Sequence, residues 1–133
     1  MKVISLKEPY ASLIMNGIKK IETRSWKTNY RGKLYIHASV SKISKEILSN
    51  KELMELVDIN NLSFGNIICS CDLVDCIPMT DEFILKVKKN RREFLSGEYA
   101  VGRYAWILEN VQVLDQMIPA KGQLGIWNYN LEE

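Results

Sequence analysis

The chain has little of several things. It holds one histidine, three cysteines, three prolines and seven glycines in 133 residues. Its apolar runs, such as "FGNIICSC", fall far short of the ~20 residues a membrane span needs, and "MKVISLKEP" has neither the long apolar centre nor the cleavage site of a signal peptide. A cytoplasmic protein without a membrane partner is expected. The three cysteines, Cys69, Cys71 and Cys76, are odd in number, so no disulfide framework is expected. A zinc site would need a fourth ligand, His37 is the only imidazole, and Cys-x-Cys-x4-Cys is not the usual zinc spacing. No metal or other cofactor is expected. The chain also lacks G-x-S-x-G, H-E-x-x-H, a phosphate-binding Gly-rich loop and a cluster of carboxylates with metal-ligand character.

What is present reads as an ordinary packed domain. Hydrophobic residues make up 47% and charged residues 26%, and the length suits one core, so residues 1–133 are expected to form a single domain. A net charge of +2 is too small to announce a nucleic-acid partner by itself. Any such binding must come from local arrangement.

"VISL" predicts a first strand, and a helix follows it. Pro9 suits a first helical position, Tyr10, Leu13 and Ile14 are spaced i, i+3, i+4, and Gly17 is placed to close the helix. A strand is predicted over 20–26, a turn in "KTNYRG", and a strand in "KLYIHAS", where Leu34, Ile36 and Ala38 alternate with Tyr35, His37 and Ser39. Residues 41–58 carry a helical pattern, and 65–74 read as a strand with Ile67, Cys69, Cys71 and Leu73 on one face. Thr80 caps a predicted helix ending in "KVKKNRR", "RYAWILENVQVL" is a further strand, and "GQLGIWNY" closes the chain as another. Short strands and helices in no regular βαβ order predict an α+β fold, a small curved sheet or barrel with flanking helices.

One stretch stands apart. Within "NGIKKIETRSWKTNYRGKLYIHAS", strand alternation puts Lys20, Glu22, Arg24 and Trp26 on one side. On spacing alone this is either a solvated ladder of ion pairs, worth ~0–1 kcal/mol each, or the wall of a cleft. In a cleft, Trp26 or Tyr30 offers a stacking plane, Arg24 and a lysine offer charge for phosphate, and Glu22 accepts from exocyclic amino groups. Tyr35, His37 and Ser39 could extend that wall, although a lone histidine is more often a hydrogen-bonded structural residue. The run Lys86, Lys88, Lys89, Arg91 and Arg92 either contacts a phosphate backbone or complements a helix dipole.

The same stretch resembles the opening of the ASCH domain family, related to the PUA-like RNA-binding barrels. Gly17, Lys19, Glu22 and Arg24 fall on the family's G-x-K-x-x-E-x-R motif, and "LVDC", "GRYAWILENV" and "KGQLGIWNY" are similar to its later segments. The resemblance implies a PUA-like β-barrel whose cleft is lined by the motif, with RNA or a nucleotide-like small molecule as partner. Ligand-binding residues are then Gly17, Lys19, Glu22, Arg24, Trp26, Tyr30, His37 and Ser39, with Lys19 a mobile charge over the cleft mouth. Some of the wider group hydrolyse N-acetylated cytidine with a threonine in the slot that aligns with Glu22, and others are nucleases. If the chain is an acetylcytidine amidohydrolase-like enzyme or a ribonuclease, Lys19 and Glu22 are its acid–base pair. A protein partner in the same cleft is the third expectation.

Overall fold

In the computed structural model, which describes residues 1–130, the strands form one mixed sheet. The strands are β1 (Lys2–Leu6), β2 (Ile21–Arg24), β3 (Gly32–Ala38), β4 (Asn66–Pro78), β5 (Tyr104–Pro119) and β6 (Ile126–Asn128). Their order across the sheet is β2-β5-β4-β3-β1-β6, with β1 and β3 parallel and the other pairs antiparallel. The helices are α1 (Tyr10–Met15), α2 (Lys45–Leu48), α3 (Lys51–Met54), α4 (Asp81–Lys88) and α5 (Arg91–Leu95). This is the expected α+β class. Among the described residues no helix is long and apolar enough to cross a membrane.

The expected barrel is not closed. The edges of the sheet are β2 and β6, and among the described residues no ladder joins β2 to β6 or to β1, so the sheet remains open along that seam. A side chain crosses it instead: Arg24 Nη2 on β2 donates to the Ser5 carbonyl on β1 at 2.9 Å. The sheet must therefore curl until its β2 edge comes within hydrogen-bond reach of β1. Ile4, Leu34, Ile36, Cys69, Cys71, Trp106 and Leu108 form the core inside that curl.

Local chemistry explains where the elements stop. α1 starts over Glu8, wholly buried, whose carboxylate accepts from the Ser12 N–H at 2.8 Å and the Ser12 hydroxyl at 2.6 Å. It ends in a Schellman turn, with Gly17 N–H on the Ile14 carbonyl, Ile18 N–H on the Leu13 carbonyl, and Gly17 at φ +85°. The helix expected over 41–58 is two short helices. Asn50 interrupts the pattern by accepting from the Leu53 N–H and so capping α3. The helix expected to end in "KVKKNRR" is also divided: Thr80 caps α4 and Asn90 caps α5, so Arg91 and Arg92 open a second helix.

The central strands are longer than the alternation suggested. Register shifts between Ile67 and Cys69, Ser70 and Asp72, and Leu73 and Asp75 break the period of two. β4 lies between β3 and β5, so Ile68 and Ser70 are buried along with Ile67, Cys69, Cys71 and Leu73. Burial pushes the Cys69 and Cys71 thiols up to about 12.

Candidate functional site

The open seam is a cleft of about 1130 Å³. Ser5, Leu6 and Lys7 form one wall and residues 22–26 the other. Ser96–Glu98 and the loop of Lys121–Gly125 flank them. The charged motif faces inward because of the register: Glu22 lies opposite Trp106 across β2 and β5, and directly opposed residues share a face. A carboxylate and the largest buried ring thus point to the same side of the sheet.

Three charges form the floor. Glu22 is 7% exposed; Arg24 Nε donates to its Oε2 at 2.9 Å, and Lys19 Nζ lies 3.4 Å from its Oε1. Lys19 is 1% exposed, so it is not the mobile charge expected over the mouth. Its ammonium donates to the Ile21 carbonyl at 2.7 Å and the Ser96 carbonyl at 2.6 Å, and lies 5.7 Å from the centre of the Tyr10 ring. Burial pulls its pKa below the usual lysine range, against the pull of the Glu22 and Glu93 carboxylates. Lys20, which alternation grouped with Glu22, is exposed and precedes β2.

A clasp between α5 and β2 holds this floor. Glu93, 4% exposed, accepts from the Lys20 N–H at 2.8 Å and the Ile21 N–H at 3.3 Å. Lys19 returns the contact through Ser96, at the end of α5. Burial raises the Glu93 pKa, while the two backbone donors and Lys19 oppose the rise. Next to Ser96, Gly97 has no room for a side chain: a Cβ there would meet Thr23 Cγ2 and Tyr99 Cε2 at 2.9 Å.

On the β1 side, hydrogen bonds fix the His37 tautomer. Nε2 lies 2.8 Å from the Ala120 carbonyl, which can only accept, so Nε2 carries the proton. Nδ1 then accepts from the Ser5 hydroxyl at 2.9 Å, and Ser5 accepts from the Trp127 indole N–H at 3.1 Å. This relay ties down the start of the 121–125 loop, where Leu124 is 98% exposed beside Lys121 and Gly122.

The structure brings Lys19, Glu22, Arg24, Trp26, His37 and Ser39 to the cleft. Trp26 lies just beyond β2, is 38% exposed, and meets Trp106 edge to face at 4.8 Å. Gly17 and Tyr30 do not line it. Gly17 turns the chain out of α1, and Tyr30 packs against the core with its hydroxyl on the Lys33 carbonyl. Sequence reasoning missed Ser5, Glu93, Ser96, Arg103 and the 121–125 loop. Glu93 carried a local signal, as the acid three residues after the cap Asn90, and Arg103 and the 121–125 loop lay in segments similar to the family without a role attached to them. Among the described residues no group of three or more His, Cys, Asp or Glu could hold a metal ion.

A curled mixed sheet with an inward-facing Lys-Glu-Arg floor at its open seam defines a class, and comparison identifies it. The family model for the ASCH domain matches residues 4–117, and the chain belongs to that family. It is similar to human activating signal cointegrator 1, 32% identical over 125 residues, and to its mouse counterpart, 30% identical over 126 residues. Each alignment covers 93% of this chain and 21% of the relative, so the chain spans about a fifth of the length of the curated relatives it matches.

Proposed function

We propose that the cleft binds RNA, or a free nucleotide, by taking one nucleotide unit into the seam between β1 and β2. The observation that carries this reading is the charge of the lining: Lys7, Lys19, Arg24, Arg103 and Lys121 outnumber Glu22, Glu46 and Glu98, which favours an anionic occupant. Glu22 supplies an acceptor for a base's amino group, and Trp26 an accessible ring for stacking, worth ~1–3 kcal/mol per base. His37 and Ser39 line the β3 side.

The hydrolytic alternative asks Lys19 and Glu22 to exchange protons with a substrate. The acceptors already surrounding the Lys19 ammonium weigh toward binding instead. The test is fluorescence titration with short single-stranded RNA, cytidine and N-acetylcytidine, followed by chromatography of each mixture. Trp106 and Trp127 are buried, so Trp26 is the accessible reporter. Saturable quenching that Trp26→Phe abolishes, with ligand recovered intact, is the expected result. Recovery of cleaved RNA or deacetylated cytidine makes the protein an enzyme, and the absence of any response removes the nucleotide reading.

A further inference from the structure

We infer that Lys19 is a positioning residue that does not touch the occupant of the cleft, and that Arg24 takes the occupant's phosphate; the second half rests on the nucleotide reading above.

The distinction comes from which donors still lack acceptors. An ammonium can only donate, and around Lys19 Nζ stand the Ile21 carbonyl at 2.7 Å, the Ser96 carbonyl at 2.6 Å and Glu22 Oε1 at 3.4 Å. Two of its N–H groups therefore have carbonyl acceptors, and the third faces the Glu22 carboxylate as an ion pair. Turning one toward a ligand would leave a buried acceptor unmatched, at about 1–3 kcal/mol. The residue is also 1% exposed, with no surface to offer.

Arg24 is arranged differently. Its Nε donates to Glu22 at 2.9 Å and one Nη2 proton goes to the Ser5 carbonyl at 2.9 Å. Those bonds fix the plane of the guanidinium. Both protons on Nη1 and the second on Nη2 have no protein acceptor among the described residues, and the side chain is 24% exposed. A planar group held on one side with open donors on the other matches a phosphate's oxygens. Lys7 and Lys121 at the rim are exposed and carry no ion pair among the described residues, which adds to the pull on an anion.

Lys19 acts through what it holds. It joins Glu22 to the end of α5, and Glu93 joins α5 back to the start of β2. Without it, Glu22 and the 96–98 wall lose their shared anchor.

Salt dependence separates the two roles. Each phosphate contact contributes about 0.7 to the slope of log affinity against log salt for a single strand. With a short mixed-sequence single-stranded RNA, Arg24→Gln is expected to reduce that slope by about 0.7. Lys19→Met is expected to weaken binding roughly tenfold through the displaced carboxylate and wall, with the slope unchanged. A slope that falls in Lys19→Met, or stays intact in Arg24→Gln, overturns the assignment. If Lys19→Met does not fold, nitrogen-15 NMR of the unaltered protein decides: slow solvent exchange of the Lys19 ammonium, free and RNA-saturated, is expected, and fast exchange in either state overturns its half. If the wild type binds no RNA, the nucleotide reading and the Arg24 role fall together, while the exchange rate in the free protein still tests Lys19.

Discussion

Trp106 has no exposed surface and spans the core behind Glu22, so its ring and the cleft floor share one side of β5. Trp106→Ala is expected to destabilise the fold by ~3–5 kcal/mol. Urea denaturation measures it, and a loss no larger than that of Trp26→Ala would show that the ring is dispensable to the core. The buried thiols set a second residue-scale expectation. Cys69 and Cys71 are held up to about 12 from an ordinary 9.0, and burial raises Tyr99 as well. Above pH 9 the unfolded chain releases these protons first, so their contribution to stability is complete below that pH and is lost as pH rises toward 12. Lys19 works in the opposite direction, since its lowered pKa favours folding as pH climbs toward 10.5. The double variant Cys69→Ala, Cys71→Ala isolates the thiols: its stability should fall less steeply between pH about 8 and pH about 10.5 than that of the wild type. Equal slopes would contradict the shift.

At the scale of elements, much of the plan was readable because the relevant signals are local. Gly17 after an apolar periodic run announced the end of α1, and the alternation of Leu34, Ile36 and Ala38 marked the buried face of β3. The 41–58 segment was misread because Ile43, Ile47, Met54 and Val57 fit one helical period, while Asn50 offers the backbone a competing acceptor inside it. The clasp between Glu93 and β2 was illegible for another reason: its partners lie 73 and 72 residues away, and spacing carries no information at that distance. Asn90 deserves a mutation on this account. Asn90→Ala removes the cap of α5 and is expected to lower stability by ~0.5–2 kcal/mol. Because α5 carries both Glu93 and Ser96, RNA affinity should fall with it. A variant that loses stability but binds RNA as the wild type does would separate the helix from the site.

For the whole molecule, the sequence's small charge excess hid a local one. A balance of +2 over the chain says little, yet folding gathers Lys7, Arg24, Arg103 and Lys121 around one concavity. The open seam could not be read either, since alternation shows that a strand exists and not whether its far edge finds a neighbour. The seam also makes a prediction about stability. β2 is four residues long and, among the described residues, ladders only to β5, so its amides should exchange with solvent sooner than those of β3 or β4. Saturation with RNA should slow exchange in β2 and β1 more than elsewhere, measured amide by amide; uniform protection would mean that binding is not seated in the seam. The sheet is a curled open wall whose edges are β2 and β6, and the Arg24–Ser5 bond acts as a clip that draws the β2 end toward β1. On the nucleotide reading, an occupant of the cleft would tie β2 to β1 more firmly than that clip does, so the fold would report its ligand by becoming stiffer.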